Sequence, residues 1–416
     1  MQFKEYPSYK NSGVEWLGDV PSDWEQKPIW SLFKRVKRTN QPDERLLSVY
    51  RDYGVIPKDS RDDNHNRASE DLTPYQLVRP NDLVINKMKA WQGSIAISEI
   101  QGIVSPAYYI YTPKKDYHSK YVHFLIRSAY YIQSYKNYSK GIRVNQWDLE
   151  SESFIHINLL LPTINEQQKI VSYLDQETQK IDTLIAKQEK LIALLEEQRK
   201  SVISHAVTKG LDPNAPMKDS GVEWLGDVPS HWDIISIKYL ANCSSGQGIN
   251  SLEISDMSND ENCFPVIGGN GEMGWTSKSN YKVPVLSIGR VGALCGNVHL
   301  INYQSWISDN SLILKVHSKK IGLKILKYIL LARDLNILAS KSAQPLITGT
   351  QVKNEKIVLP PLKEQDLIVE FIKTENLRIN NLTEKQKALI EKLKEYRASI
   401  ISHAVTGKID VRELVA

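Results

Sequence analysis

The chain has 416 residues, 41% of them hydrophobic and 24% charged, with a formal net charge of +5. That length exceeds one comfortable core and predicts two to four domains of ordinary globular protein. The opening MQFKEYPSYK lacks the apolar core of a signal peptide, and no run approaches the roughly 18 apolar residues of a membrane span, so a cytoplasmic protein without a membrane partner is expected. Cys243, Cys263 and Cys295 fit neither a Cys-x-x-Cys metal clip nor a disulfide framework, and the histidines show no ligand spacing. The cysteines are expected to be reduced fillers, and no metal site is expected.

In chain order, the first element is a block that recurs. Ser12 to Ser22, SGVEWLGDVPS, returns unaltered at Ser220 to Ser230, and Lys10 to Trp24 matches Lys218 to Trp232 at all but Asn11/Asp219 and Asp23/His231. An offset of 208 held this closely marks a duplicated chain. An unrepeated block then runs from 25 to about 158. Its strand-like stretches are Asp82 to Asn86, Ile95 to Ser98 and Ile103 to Tyr111, and its one helical run is Ser119 to Asn137, which predicts an α+β domain. After Leu161-Pro162, residues Ile164 to Val207 carry neither Pro nor Gly and predict one long helix. Leu174, Ile181, Gln188, Leu195 and Val202 form one heptad position, with Glu177, Leu184, Leu191 and Gln198 assigned to the other, the spacing of a coiled coil.

The second half repeats this plan. A new α+β block runs from 233 to about 356, Leu359-Pro360-Pro361 ends it, and a helix is predicted from about Lys363 to Val405. At an offset of 198, Ile372, Ile379, Gln386, Leu393 and Ile400 match the first seam, and ISHAVT at Ile203 to Thr208 recurs at Ile401 to Thr406. Net charge divides along the same lines: residues 25–160 carry +5 and residues 233–358 carry +4, so the rest of the chain sums to −4. The unrepeated blocks are therefore the basic ones, the pattern expected for a polyanion partner.

These features resemble the specificity subunits of type I restriction-modification enzymes. The doubled SGVEWLGDVPSxW, the doubled LPxxxEQ at Leu161 to Gln167 and Leu359 to Gln365, the long helix after each and the ISHAVT ends carry the likeness over essentially the whole chain. Phe264 to Trp275 and Leu286 to Val298 are similar to one class of target recognition domain, and Asp82 to Ser94 with Ile103 to Tyr108 to another. The resemblance implies two α+β target recognition domains, each followed by a long helix, the two helices packed as an antiparallel coiled coil with pseudo-twofold symmetry. Its boundaries are 1–160 for the first domain, 161–209 for the first spacer helix, 210–217 for a linker, 218–358 for the second domain, 359–410 for the second spacer helix and 411–416 for a tail. It implies double-stranded DNA as ligand, two methyltransferase subunits and motor/nuclease subunits as partners, and no chemistry or cofactor in this chain. S-adenosylmethionine, ATP and Mg belong on the partners, whose reaction modifies an adenine in each half-site.

The residues support this reading on their own terms. A protein with pseudo-twofold symmetry on one duplex aligns its twofold with a dyad perpendicular to the DNA axis, which makes two spacer helices antiparallel. Helices of about 44 residues reach at most ~66 Å at 1.5 Å per residue, enough to span one DNA turn of ~34 Å. Candidate DNA contacts in the first block are Lys87, Lys89 and Trp91, then Lys140, Arg143, Asn145 and Gln146 in a glycine-containing loop. In the second block they are Asn270, Arg290 between Gly289 and Gly292, and Gln344 and Thr348. Arg, Asn and Gln are the side chains that pair bidentately with guanine and adenine edges. Any single lysine reads first as a solvated surface charge, whereas Arg290 and Arg143 read as contacts. Gly268 to Gly271 lacks a following GK[ST] and reads as a turn, not a phosphate cradle.

The copied Trp16, Leu17, Trp224 and Leu225 have two explanations of equal weight: a surface for a shared partner, or docking of each block on its own helix. Gln188 and Gln386 either fix seam register or face a wet edge. An enzyme acting alone is disfavoured, because neither a Walker A sequence nor an Asn/Asp-Pro-Pro-Tyr/Phe tetrapeptide is present. The other rival is a non-catalytic coiled-coil scaffold joining two protein-binding domains, which predicts no salt-dependent DNA affinity.

Overall fold

The structure, a computed structural model, describes residues 3–51, 53–61, 68–143, 146–282, 284–292, 294–340 and 345–414. The chain forms two compact units, one joining Met1–Gln188 to Ala388–Ala416 and the other comprising Glu189–Lys387. Each unit therefore contains half of each long helix. Among the described residues no helix is long and apolar enough to cross a membrane.

The first unit is built around an antiparallel sheet of β1 (Phe33–Val36), β2 (Leu83–Asn86), β3 (Ile95–Ile97) and β4 (Tyr108–Pro113), in the order β1-β4-β2-β3. Short apolar runs make these strands, and Asp82 sets the entry to β2. Its carboxylate, 1% exposed, accepts from the Arg79 backbone at 2.8 Å and pairs with Arg38 at 2.6 Å. The expected strand Ile103 to Tyr111 is two strands, Gly102–Val104 and Tyr108–Pro113, because Ser105-Pro106 turns the chain and the Tyr108 amide donates to the Ser105 carbonyl. The expected helix Ser119 to Asn137 likewise splits into Ser119–Ile126 and Ala129–Asn137. The Ser402 hydroxyl accepts from the Ala129 amide at 3.0 Å, satisfying a donor that a fresh helix start exposes.

The second unit repeats the sheet as β5 (Ala241–Ser245), β6 (Val285–Gly289), β7 (Val298–Ile301) and β8 (Ser311–Val316), in the matching order β5-β8-β6-β7. A further sheet pairs Phe264–Gly268 with Gly271–Thr276 and Trp306–Ile307. Gly269-Asn270 is thus the turn of a hairpin. The cysteines are free, but only Cys295 is buried; Cys263 is exposed, because its polar surroundings place it outside the core, and it is not a filler.

The long helices are α1 (Ile164–Lys209) and α2 (Leu362–Val405). Both end at glycines in left-handed conformation, Gly210 and Gly407. At Gly407 a Cβ would also lie 2.4 Å from the Pro21 ring, so glycine is required there twice over. The helices are antiparallel within each unit. Leu174 and Ile181 of α1 share the first core with Ile400 and Ala404 of α2, while Ala206 and Val207 share the second with Ile368 and Ile372. Of the expected seam, Leu174, Ile181, Leu195, Ile372 and Ile379 are buried, Leu393 is partly buried, and Gln188 and Gln386 are half-buried. The second heptad position differs from expectation. Leu184 and Leu191 are exposed, and the inward residues lie one position further on, at Thr178, Ile185, Ile192, Arg199 and Ala206. The i+4 neighbour of each first-position residue, not the i+3, faces the partner helix.

Candidate nucleic-acid interface

Each copied block is locked to the frame by the LPxxxEQ motif and by the end of the opposite helix. The buried Trp24 donates its indole N–H to Glu166 at 3.1 Å, and the buried Trp232 does the same to Glu364 at 2.9 Å. Gln167 donates to the Pro162 carbonyl and accepts from the His118 amide; Gln365 donates to the Pro360 and Lys320 carbonyls and accepts from the Gly322 amide. From the other helix, Lys408 caps the Leu17 and Asp19 carbonyls, and Lys209 caps those of Leu225 and Asp227. Leu17 and Leu225 are each 2% exposed, so the expectation that they form a partner surface is corrected: they are core, a position worth roughly 1.5–3 kcal/mol each. Trp16 is half-buried edge-on to Tyr131 at 5.1 Å, and Trp224 donates to the Lys356 carbonyl at 3.3 Å under Arg333. Glu15 and Glu223 are exposed in both copies.

In the first unit, the segment after β2 meets a hairpin formed by Ser139–Arg143 and Gln146–Leu149. The expected glycine loop is this hairpin, bulged between Lys140 and Arg143, with Lys140 opposite Asp148 and Arg143 opposite Gln146. Asn145 lies outside the described residues, as does Gln344 of the second unit. Trp91 donates to the Met88 carbonyl and packs against Trp147, ring centroids 4.9 Å apart, so it braces the hairpin. Lys87 pairs with Asp148 at 2.8 Å, while Lys89 is exposed. Hydrogen bonding to Asp148 holds the Lys87 ammonium above its ordinary pKa, against its partial burial and the nearby Arg35. The Arg35 guanidinium lies 4.2 Å from the Tyr109 ring, and the Lys87 ammonium 5.9 Å from the same ring. Arg35 and Tyr109 are additions that the sequence did not single out. They adjoin Lys87 only because β1 and β2 both pair with β4.

In the second unit, Arg290 follows β6 and donates to the Ser245 hydroxyl at 3.0 Å and to the Asp309 carbonyl at 3.5 Å. Gly289 permits this turn, since a Cβ there would come within 2.2 Å of the Gly269 carbonyl, and Gly292 takes a φ of +83°. Asn270 accepts from Asn297 at 2.6 Å, and the Gly292 amide donates to the Pro345 carbonyl. Hairpin turn, Arg290 loop and the 345–348 segment thus converge at one end of the sheet. Thr348 has a structural task, closing a capping box with Gln351 at the start of Gly349–Asn354.

Hydrogen-bond register places Lys87 and Arg290 at the same point of the two sheets. The offset of 208 carries Val36 onto Ser244. Val36 pairs with Ile110 and Ser244 with Ile313; Ile110 pairs in turn with Val84, and Ile313 with Ser287. Three residues beyond Val84 is Lys87, and three beyond Ser287 is Arg290. A second hydrogen bond agrees: the Lys87 carbonyl accepts from the Leu149 amide at 3.1 Å and the Arg290 carbonyl from the Ile347 amide at 2.9 Å. Leu149 and Ile347 are themselves related by the helix offset of 198. Two domains with unlike sequences therefore present a cation from one structural position, the arrangement suited to a phosphate or a guanine edge. Among the described residues no group of three His, Cys, Asp or Glu is placed to hold a metal.

Comparison with known proteins agrees with this architecture. The Type I restriction modification DNA specificity domain matches residues 21–193 and 229–392, two segments that start at equivalent prolines of the copied blocks. The whole chain is 25% identical to the type I restriction enzyme MjaVIII specificity subunit of Methanocaldococcus jannaschii, covering 99% of that protein. It is 21% identical to the EcoKI specificity subunit of Escherichia coli K12, over 94% of this chain and 90% of that one. Its fold is similar to that of the HsdS subunit from Thermoanaerobacter tengcongensis, with a TM-score of 0.51 at 16% identity over 96% of this chain and 100% of that one. It is similar also to a chain from a study of complex assembly in the type I R-M system, with a TM-score of 0.66 at 15% identity over 93% and 98% of the two chains. Two matched domain segments, each on its own sheet and clamped to its own stretch of helix pair, show that the chain belongs to the type I restriction-modification DNA specificity family, with two target recognition domains.

Proposed function

We propose that this chain is the non-catalytic reader of a split DNA sequence, each target recognition domain contacting one half-site, and that it docks two methyltransferase subunits and the motor/nuclease subunits. The observation that carries the reading is the shared register of Lys87 and Arg290: one scaffold position supplies a cation in both domains, while the surrounding side chains differ. Cations at a fixed place position the duplex, and dissimilar neighbours such as the exposed Lys89 in one domain and Asn270 in the other discriminate bases. S-adenosylmethionine, ATP and Mg act on the partner subunits, and the modified base is an adenine in each half. The copied, exposed Glu15 and Glu223, with the open edges of Trp16 and Trp224, are the surface left for a partner common to both halves.

The test is to map methylated bases in cells that carry this chain with its methyltransferase partner. The expected result is a bipartite motif with one methylated adenine per half, on opposite strands, that disappears when this chain is deleted. A contiguous motif, or methylation independent of this chain, refutes the proposal.

A further inference from the structure

The two equivalent cations differ in what holds them. Arg290 is bound by neutral acceptors, the Ser245 hydroxyl and the Asp309 carbonyl. Lys87 is bound by a carboxylate, Asp148 Oδ2, at 2.8 Å. Among the described residues the other carboxylate oxygen, Asp148 Oδ1, has no hydrogen-bond partner, while the side chain as a whole is 43% exposed and open to exchange. The helix offset of 198 that relates Leu149 to Ile347 places Leu346 where the first unit has Asp148, so the second domain has no such anion at this position. Arg35, which shares the Tyr109 ring with Lys87, is a second positive charge beside it.

We propose that Asp148 is a built-in counter-anion, holding the Lys87 ammonium in the DNA-free chain at the place a backbone phosphate takes on binding. This inference rests on the DNA-reading function proposed above. The first domain then engages DNA by exchange, carboxylate for phosphate, and the charge of Lys87 adds little net affinity. The second presents Arg290 directly. An exchange of this kind weakens adhesion to arbitrary DNA in one half only, so that the first domain depends more on its base contacts.

The experiment measures binding of the full-length chain to a random-sequence DNA duplex over a range of salt concentrations, with circular dichroism and thermal melting to establish folding. Asp148→Asn is expected to bind about five- to tenfold tighter at low salt, with a log–log salt slope steeper by about 0.9, the value for one additional phosphate contact. Asp148→Ser, smaller and also uncharged, is expected to do the same. In Lys87→Met combined with Asp148→Asn the gain is expected to vanish and the slope not to steepen, because the cation that Asp148 held is gone. Folded Asp148→Asn and Asp148→Ser chains with unchanged affinity and slope would overturn the counter-anion. A gain in the double variant equal to that of Asp148→Asn alone would also overturn it, by showing that the carboxylate acts on DNA without Lys87. If the unmodified chain binds without salt dependence and Arg290→Met changes nothing, the DNA-reading function itself fails and takes this inference with it.

Discussion

Removing the carboxylate that clamps each copied block should damage the two halves unequally. Glu166 is 12% exposed and accepts two donors, the Trp24 indole at 3.1 Å and the Tyr6 hydroxyl at 2.9 Å, with Arg412 4.0 Å away. Glu364 is 36% exposed and accepts from the Trp232 indole at 2.9 Å and from His231, which is itself on the surface. A hydrogen bond to a charged acceptor contributes about 1.5–3 kcal/mol, so Glu166→Ala should cost roughly 3–6 kcal/mol of local stability. Glu364→Ala should cost roughly 1.5–3 kcal/mol, because the exposed pair with His231 adds little. The assay is amide hydrogen exchange, read on Lys10 to Trp24 and on Lys218 to Trp232, which reports local opening even if unfolding of the chain is not two-state. At about 1.4 kcal/mol per factor of ten, protection of the first block should fall roughly a hundred- to ten-thousandfold, and that of the second roughly ten- to a hundredfold. Glu166→Gln keeps an acceptor without its charge and should recover about half of the loss. Equal losses in the two blocks, or a larger loss in the second, would refute the assignment of the clamp.

Three further outcomes are expected. The equivalent arginines of the seam are paired unequally: Arg397 meets Asp182 at 2.9 Å, whereas Arg199 meets Asn380, the residue equivalent to Asp182, at 2.6 Å. Asn380→Asp should therefore stabilise the second unit by up to about 1 kcal/mol in low salt, a gain that chemical denaturation in high salt should show to vanish. Burial, reinforced by Arg127, pushes His123 down to about 4, below its ordinary 6.5. The unfolded chain therefore binds the proton more readily, so the first unit should lose stability as pH falls from about 6.5 toward 4, by up to ~3 kcal/mol; if the acid limb of a melting series is no shallower in His123→Gln, another group is responsible. Finally, Lys4 and Asp410 lie side by side in the first unit, where the Asp410 amide donates to the Lys4 carbonyl at 2.8 Å. A permuted chain beginning near Met217, with Ala416 joined to Met1, should fold and give the same methylation motif; a changed motif would show that the break alters recognition.

The repeat, the helix pair and the basic character of the unrepeated blocks were legible in the sequence because each depends on spacing or composition along the chain. Seam residues such as Leu174 and Ile372 recur every seven residues whatever lies opposite them. The other side of the stripe was not legible: Glu177, Leu184, Leu191 and Gln198 are no more polar a set than Thr178, Ile185, Ile192 and Arg199. Only the position of the partner helix decides which set is covered. The copied Trp16, Leu17, Trp224 and Leu225 were visible as copies with two explanations, and it is the burial of Leu17 and Leu225, with Trp24 and Trp232 set against Glu166 and Glu364 more than a hundred positions away, that docks each block on the frame.

The candidate site divides the same way. Residue type marked Lys87, Arg143 and Arg290 as cations near turns, and local sequence can do no more, since a charge is solvated or engaged according to its neighbours in space. That Lys87 and Arg290 are one position in two domains follows from pairing of strands far apart in sequence, as does the placing of Arg35, Tyr109 and Asp148 around Lys87. By itself the sequence determined that a constant frame carries two unlike basic domains. Which side chains those domains hold together was decided by tertiary structure, because strand register, unlike helical period, is set by contacts that the chain makes only after it has folded back on itself.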